Sequence, residues 1–187
     1  MTKVTKALTV KDMVSCALFA ALTGIFSQIG IPIGDVPINL ALFAVFLSGG
    51  VLGSYKGAVS VLVYIMMGAV GIPVFANFRG GLSVLAGPTG GYILGYLIAA
   101  LVVGMVSTYW GDSFWKLVLG MVSGLALCYL FGTVWYVALT GTKILPALSV
   151  CVIPFLPGDG VKIVLAGLLV PELNKAVRLS RSSGIAR

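Results

Sequence analysis

Long apolar runs separated by short polar or Pro- and Gly-rich connections dominate this sequence. A helix that crosses a bilayer needs about 20 mainly apolar residues. The runs predict six such helices, over about residues 12–29, 38–54, 56–71, 90–109, 115–140 and 159–178. A chain of 187 residues fits one domain over 1–187. The pattern therefore predicts an all-α membrane protein, built as a compact bundle of six transmembrane helices.

Composition and charge support this prediction and orient the bundle. The chain is 59% hydrophobic and 9% charged, with a mean hydropathy of +1.13, whereas soluble domains carry about 25% charged residues. With the N-terminus inside, nine basic residues lie on one side and only Arg79 and Lys143 lie on the other, which marks the first side as cytoplasmic. We expect a multi-pass cell-membrane protein with both termini cytoplasmic. The nine residues are Lys3, Lys6, Lys11, Lys56, Lys116, Lys175, Arg178, Arg181 and Arg187.

The prolines cluster in the connections that this orientation assigns to the outside. Long apolar connections shaped by Pro and Gly are typical of loops that pack over a site rather than of solvated linkers. We therefore expect lid-like extracellular loops and a ligand site near the outer face. Seven of the eight prolines fall there: Pro32, Pro37, Pro73, Pro88, Pro146, Pro154 and Pro157.

The residue types that catalysis and metal binding require are scarce. The chain contains no His, and Cys16, Cys128 and Cys151 have no metal or redox spacing. A nucleophile and its base cannot be assembled, and no Gly-x-x-x-x-Gly-Lys-Ser/Thr loop is present to hold nucleotide phosphates. We therefore predict that the chain is not an enzyme and that it has no metal site, no cofactor and no nucleic-acid partner.

Two charges open the last apolar run, at Asp159 and Lys162. Ionisable groups at membrane depth are costly, and they usually face a cavity and carry function. Their spacing places both on one face of a helix. They predict either a ligand-binding pair or a simple ion pair within the helix, and one pair can serve as both, because it neutralises itself when no ligand is bound.

A second group of candidate residues lies in the outer connection over residues 71–92. Asn77 can donate and accept hydrogen bonds, and Arg79 offers a planar fork suited to a carboxylate. Phe75, Phe78 and Tyr92 supply flat apolar surface. This set suits a small, partly apolar ligand that ends in an anion; the alternative is a re-entrant loop whose polar groups satisfy each other.

Small residues recur on the first predicted span. Ala17 and Ala21 lie one turn apart, with Ala20 and Gly24 alongside. This spacing lets membrane helices approach closely. It predicts a helix contact, either with another helix of the same chain or with a partner subunit.

Three segments together resemble the BioY family. They are residues 71–92, which end in Gly-Pro-Thr-Gly-Gly-Tyr, the motif Pro-Gly-Asp-x-x-Lys over 157–162, and Val-Pro-Ile over 36–38. BioY proteins are the biotin-binding S components of energy-coupling factor (ECF) transporters. The resemblance implies a six-helix protein that binds biotin near its extracellular side and works with a transmembrane coupling subunit and two cytoplasmic ATPases. It also implies that Ala17 and Ala21 dock against the coupling subunit.

The chemistry of biotin can be matched to the candidate residues. Asp159 suits the N–H groups of the ureido ring, Lys162 suits its carbonyl, and the outer-loop amide and guanidinium suit the tail carboxylate. Where the family often reads Ile-Thr-Leu-Gln, residues 38–41 read Ile-Asn-Leu-Ala, so Asn39 takes the Thr position and Ala41 replaces the Gln. The alternatives are an S component for another vitamin and a solitary biotin carrier. The predicted biotin-binding residues are Asp159, Lys162, Asn77, Arg79, Tyr92, Phe75 and Asn39.

Overall fold

The computed structural model of the chain describes residues 8–31 and 36–183, with side chains described to residue 177. A two-stranded antiparallel ribbon, β1 (Gly30–Ile31) and β2 (Ile38–Asn39), follows the first helix. The remaining elements are helical. The helices are α1 (Val10–Gln28), α2 (Ala41–Leu52), α3 (Ser54–Ala69), α4 (Leu82–Leu85), α5 (Gly90–Tyr109), α6 (Phe114–Thr140), α7 (Ile144–Cys151) and α8 (Leu156–Ser183).

The ends of the helices follow from local sequence. At the start of α1, Thr9 and Asp12 form a capping box: the Asp12 N–H donates to Thr9 Oγ1 at 3.3 Å, and the Thr9 N–H donates to Asp12 Oδ2 at 3.2 Å. Gly53, with φ of 81°, separates α2 from α3. Gly141, with φ of 67°, ends α6 in the left-handed conformation that glycine adopts without steric cost.

Six of the helices (α1, α2, α3, α5, α6 and α8) lie at the positions of the six predicted spans. By length and apolarity α1, α5 and α6 can cross a membrane, and α7 with α8, bent by 52° at a short break, makes a fourth span if the pair is counted as one. Helices α2 and α3 have 12 and 16 residues, fewer than the usual span of about 20. The chain is a mainly helical, multi-pass membrane protein, and the count of six spans stays a prediction, as do the orientation of the termini and the lid role of the loops.

The structure departs from the predicted starts of two helices by three residues each, and from the other four starts by two residues or fewer. The second helix was predicted from residue 38, but Ile38 and Asn39 pair with β1, and α2 begins at Ala41, whose N–H donates to Asn39 Oδ1 at 3.0 Å. The last helix was predicted from residue 159, but α8 begins at Leu156. Pro157 is tolerated there because a first-turn N–H has no partner within the helix.

Helix α5 packs against α2, α3 and α6 at the centre of the bundle. The contacts depend on small residues: a Cβ on Gly49 would lie 2.7 Å from the Ala100 carbonyl oxygen, and a Cβ on Gly95 would lie 2.9 Å from Cys128 Sγ. Lipid tails are as apolar as the helix surfaces, so association depends on such close packing. A rigid α5 carries Tyr92 and Tyr96 into the region described next.

Candidate functional site

Two adjoining cavities lie between α5 and the residues just before α2, and the first of them is also lined by the connection from α3 to α5. Their volumes are about 470 Å³ and about 380 Å³, including the space at their mouths that is open to solvent. They share five lining residues, Val36, Pro37, Asn39, Tyr92 and Tyr96, so they form two ends of one site. We call these the loop end, which Phe75, Asn77 and Arg79 also line, and the charged end, which Asp159 and Lys162 also line.

All seven residues predicted to bind a ligand therefore surround one continuous region. Asn39 and Tyr92 belong to both ends. Asp159 and Arg79 are 80 positions apart in the sequence, and the fold alone brings their side chains to opposite ends of the same site. The placement is suited to an elongated ligand with different polar groups at its two ends.

The charged end holds a buried ion pair with a third partner. Lys162 Nζ lies 2.6 Å from Asp159 Oδ1, and the two side chains are only 6% and 3% exposed. The Tyr129 hydroxyl donates to Asp159 Oδ2. Asp159 lies in the first turn of α8, where the helix dipole favours negative charge. Burial of the pair is tolerated because each charge has a hydrogen-bonded partner.

This ion pair retains hydrogen-bonding capacity. A carboxylate offers about four lone-pair sites and an ammonium offers three N–H donors. Among the described contacts, Asp159 accepts from Lys162 and Tyr129, and Lys162 donates once, to Asp159. The charged end can therefore accept hydrogen bonds through Asp159 and donate them through Lys162 to the same ligand.

Residues 75–79, which line the loop end of the site, form a tightly closed turn. The Phe75 N–H donates to the Arg79 carbonyl at 2.9 Å, and the Arg79 N–H donates to the Phe75 carbonyl at 3.2 Å. Between them Asn77 and Phe78 adopt φ of 59° and 55°. Non-glycine residues rarely adopt this conformation, which costs about 1–3 kcal/mol and persists where the surroundings enforce it.

Gln28, at the end of α1, enforces the conformation of this turn. Its Nε2 donates to the Phe75 carbonyl at 3.0 Å, and its Oε1 accepts from the Phe78 N–H at 2.8 Å. The neighbouring Ser27 hydroxyl bonds to the Val74 carbonyl. One side chain thus holds both sides of the turn that carries Asn77.

The two predicted aromatic residues are fixed by glycines on facing helices. A Cβ on Gly68 would lie 2.0 Å from the Phe75 ring, and a Cβ on Gly132 would lie 2.3 Å from the Tyr92 ring. The Tyr92 hydroxyl hydrogen-bonds to Thr133 Oγ1 at 3.0 Å. Phe78, which the sequence grouped with them, is 73% exposed and is absent from the lining of both cavities.

Sequence reasoning missed Gln28 and Tyr129. A buried carboxylate requires donors, but the apolar spans hold several tyrosines, and nothing local distinguishes Tyr129 from Tyr96. Gln28 carried a weak signal as a polar residue at the end of an apolar run. Both residues act across distances of 30 to 50 positions in the sequence.

The small residues of α1 divide into two faces. Ala20 and Gly24 are buried against the bundle, whereas Ala17 and Ala21 are exposed. Packing within the chain therefore accounts for the first pair only. Ala17 and Ala21 form a free small-residue surface, flanked by exposed Val14 and Leu18.

The comparisons with known proteins agree on one family. The sequence model described as the BioY family matches residues 1–179. The biotin transporter BioY of Thermotoga maritima is 40% identical over 165 residues, which cover 88% of this chain and 96% of that protein. The biotin transporter BioY of Rhodobacter capsulatus is 37% identical over 172 residues, covering 85% and 90%. A crystal structure of the S component for biotin from an ECF-type ABC transporter superposes with a TM-score of 0.82 at 27% identity, covering 94% of this chain and 95% of that one.

Proposed function

This chain belongs to the BioY family, and we propose that it is the biotin-binding S component of an ECF transporter. It is a transport protein and not an enzyme. One observation carries the proposal: the seven residues matched to biotin from the sequence all line the two ends of one site. Biotin has the same division into a polar ring at one end and a carboxylate at the other.

Biotin binds with its ureido ring at the charged end. Asp159 accepts from the ring N–H groups and Lys162 donates to the ring carbonyl, which uses the capacity that the ion pair leaves open. Tyr92, which lines both ends, packs against the bicyclic ring. The valerate tail then extends toward the loop end, where Arg79 and Asn77 receive its carboxylate.

ATP-driven uptake requires a separate energy-coupling module, because the chain lacks a phosphate-binding loop of its own. We propose that this module is a transmembrane coupling subunit with two cytoplasmic ATPases. It docks on the small-residue surface of Ala17 and Ala21, which is exposed on α1. The orientation proposed with it has both termini cytoplasmic and the loop end facing outward.

Binding of biotin and of biotin amide tests the proposal. Isothermal titration should show one high-affinity biotin site per chain, with the amide bound more weakly because it lacks the charge that Arg79 recognises. Arg79→Ala should weaken biotin binding and remove the difference in affinity between biotin and its amide. Lys143 is the other cation predicted on the outer side, and it lies outside both cavities. Lys143→Ala should therefore leave the difference in affinity between biotin and its amide unchanged.

Three results would each contradict part of this proposal. Equal affinity of the wild type for the acid and the amide would show that the loop end does not read the carboxylate. A different vitamin copurifying with the protein, together with no heat on biotin titration, would refute the ligand itself. Uptake by the chain alone, driven by an ion gradient, would favour a solitary carrier.

Gln28→Ala should loosen the turn over Phe75–Arg79 and weaken biotin binding. The change removes the two hydrogen bonds from Gln28 to Phe75 and Phe78, of about 1 kcal/mol each, so the binding free energy should weaken by about 1–2 kcal/mol in isothermal titration. Trypsin should also cut faster after Arg79, which is exposed in the turn. Ser123→Ala is the control, because that exposed hydroxyl bonds only to the Leu119 carbonyl of its own helix. Unchanged affinity and unchanged cleavage in Gln28→Ala would show that the turn keeps its conformation without Gln28.

A further inference from the structure

An apolar groove runs along the side of α6 and α7 that faces away from the bundle, and it shares Tyr129 with the charged end of the proposed biotin site. Its volume is about 1210 Å³, including the space at its open side, which faces away from the bundle. Its walls run from Ala126 to Ala138 on α6 and include Ile144 and Leu148 of α7. The groove has two polar residues in its wall, and their hydroxyls bond to residues elsewhere: Tyr129 to Asp159, and Thr133 to Tyr92.

The groove continues into a hollow with a cationic rim. The hollow shares Val137 and Ile144 with the groove and is also lined by Thr142 and Lys143. Lys143 is exposed. It makes no ion pair with any residue that the structure describes, so a positive charge stands uncompensated at one end of an otherwise apolar channel.

The length of the groove matches one leaflet of a bilayer. Ala126 and Ala138 are separated by twelve residues of α6, or about 18 Å at 1.5 Å per residue. One leaflet contributes about 15 Å of a hydrocarbon core about 30 Å thick. An acyl chain that lies in the groove would bring its headgroup to the level of Lys143.

We propose that this groove binds one anionic phospholipid, with an acyl chain along α6 and the phosphate at Lys143. The chain itself gains little by leaving the bilayer, because lipid tails are as apolar as the groove. Selectivity therefore comes from the headgroup, through attraction between its negative charge and the ammonium group. The proposed lipid site adjoins the proposed biotin site through Tyr129, but its cation, Lys143, lines neither end of the biotin site.

Native mass spectrometry of the delipidated full chain tests the proposal with two lipids that have the same acyl chains. One phosphatidylglycerol per chain should be retained, in preference to phosphatidylcholine by about fivefold, the factor that corresponds to about 1 kcal/mol per basic residue near an anionic surface. Lys143→Ala should remove the preference and Lys143→Arg should keep it. Lys116→Ala, which removes an exposed lysine at the other end of α6, should have no effect.

Filling the groove gives a second test. Ala138→Trp places an indole in the wall and should reduce retention of both lipids, whereas Val122→Trp, exposed on the same helix outside the groove, should not. Equal retention of the two lipids by the wild type, or retention unaffected by Lys143→Ala, overturns the proposal. If Ala138→Trp blocks assembly with a coupling subunit or a second copy and leaves lipid retention unchanged, the groove is a protein interface and the proposal is wrong. Thermal unfolding checks that each variant is folded; if Ala138→Trp is not, the Lys143 variants decide.

Discussion

Asp159→Asn and Lys162→Met are each expected to cause a large loss of biotin affinity. Asp159→Asn removes the charge from the acceptor that we assign to the ureido N–H groups. A hydrogen bond to a charged group contributes about 1.5–3 kcal/mol, so binding should weaken by about that free energy for each bond affected. Lys162→Met removes the donor to the ureido carbonyl. Isothermal titration of the purified variants measures both effects.

Each single change should also destabilise the fold, because the remaining charge stays buried and unpaired. Breaking a buried pair costs about 3–5 kcal/mol, and both side chains here are almost fully buried. The double variant Asp159→Asn with Lys162→Met should therefore lose less stability than the sum of the two single variants. Thermal unfolding without ligand measures this coupling separately from biotin binding.

The same helix offers a matched control. Glu172 and Lys175 form another pair three residues apart, at 2.6 Å, but their side chains are 67% and 65% exposed. Exposed pairs contribute little, so Glu172→Gln should leave both affinity and stability unchanged. If the wild type, Asp159→Asn and Lys162→Met bind biotin equally well, the charged end is not the ureido site, and the pair is only structural.

Tyr129→Phe refines this test. The change keeps the ring and removes one hydrogen bond to Asp159. We expect an intermediate loss of affinity, because the carboxylate remains charged but is less firmly oriented. An affinity as low as that of Asp159→Asn would instead indicate that the Tyr129 hydroxyl contacts biotin directly.

Ala17→Trp and Ala21→Trp are expected to separate biotin binding from assembly. Both alanines are exposed on α1, and neither lines the two cavities, so biotin affinity of the isolated chain should be unchanged. Copurification with the coupling subunit and the ATPases should be lost, since an indole does not fit where two helix backbones approach closely. Both properties are measured on the same preparations.

Two further tryptophan variants control for the size of the indole. Ala20 is fully buried on the opposite face of α1, so Ala20→Trp should lose folding and biotin binding together. Val122 is exposed on α6 and lines neither cavity of the biotin site nor the groove, so Val122→Trp should keep both properties. Normal assembly of Ala17→Trp and Ala21→Trp would rule out this surface as the docking face.

The local sequence pattern determined several features of this protein. The positions of the long helices, the membrane class and the family follow from apolar runs, scarce charges and three motifs, all of which are properties of contiguous residues. The candidate residues were also identifiable one by one. Asp159 and Lys162 stand out because a charge in an apolar run needs a reason, and Asn77 and Arg79 because they share a Gly-rich loop.

Boundaries were less predictable where a side chain competes with the apolar pattern. Ile38 and Asn39 belong to an apolar run, yet Asn39 uses its side chain to start α2 two residues later. The connection before α8 reads as a Pro-rich loop, but it contains α7. At α2 a hydrogen bond to one backbone N–H, rather than hydropathy, marks where the helix begins.

Tertiary structure alone decided which residues meet. Tyr129 reaches Asp159 and Gln28 holds the turn at Phe75 because α6 and α1 are rotated to present those side chains. The same rotation buries Ala20 and leaves Ala17 exposed, although both belong to one small-residue pattern. Helix rotation depends on how glycines and bulky rings fit between neighbouring helices, as Gly132 fits the ring of Tyr92. This packing involves residues that are far apart in the chain, so the rotation of each helix cannot be predicted from its local sequence.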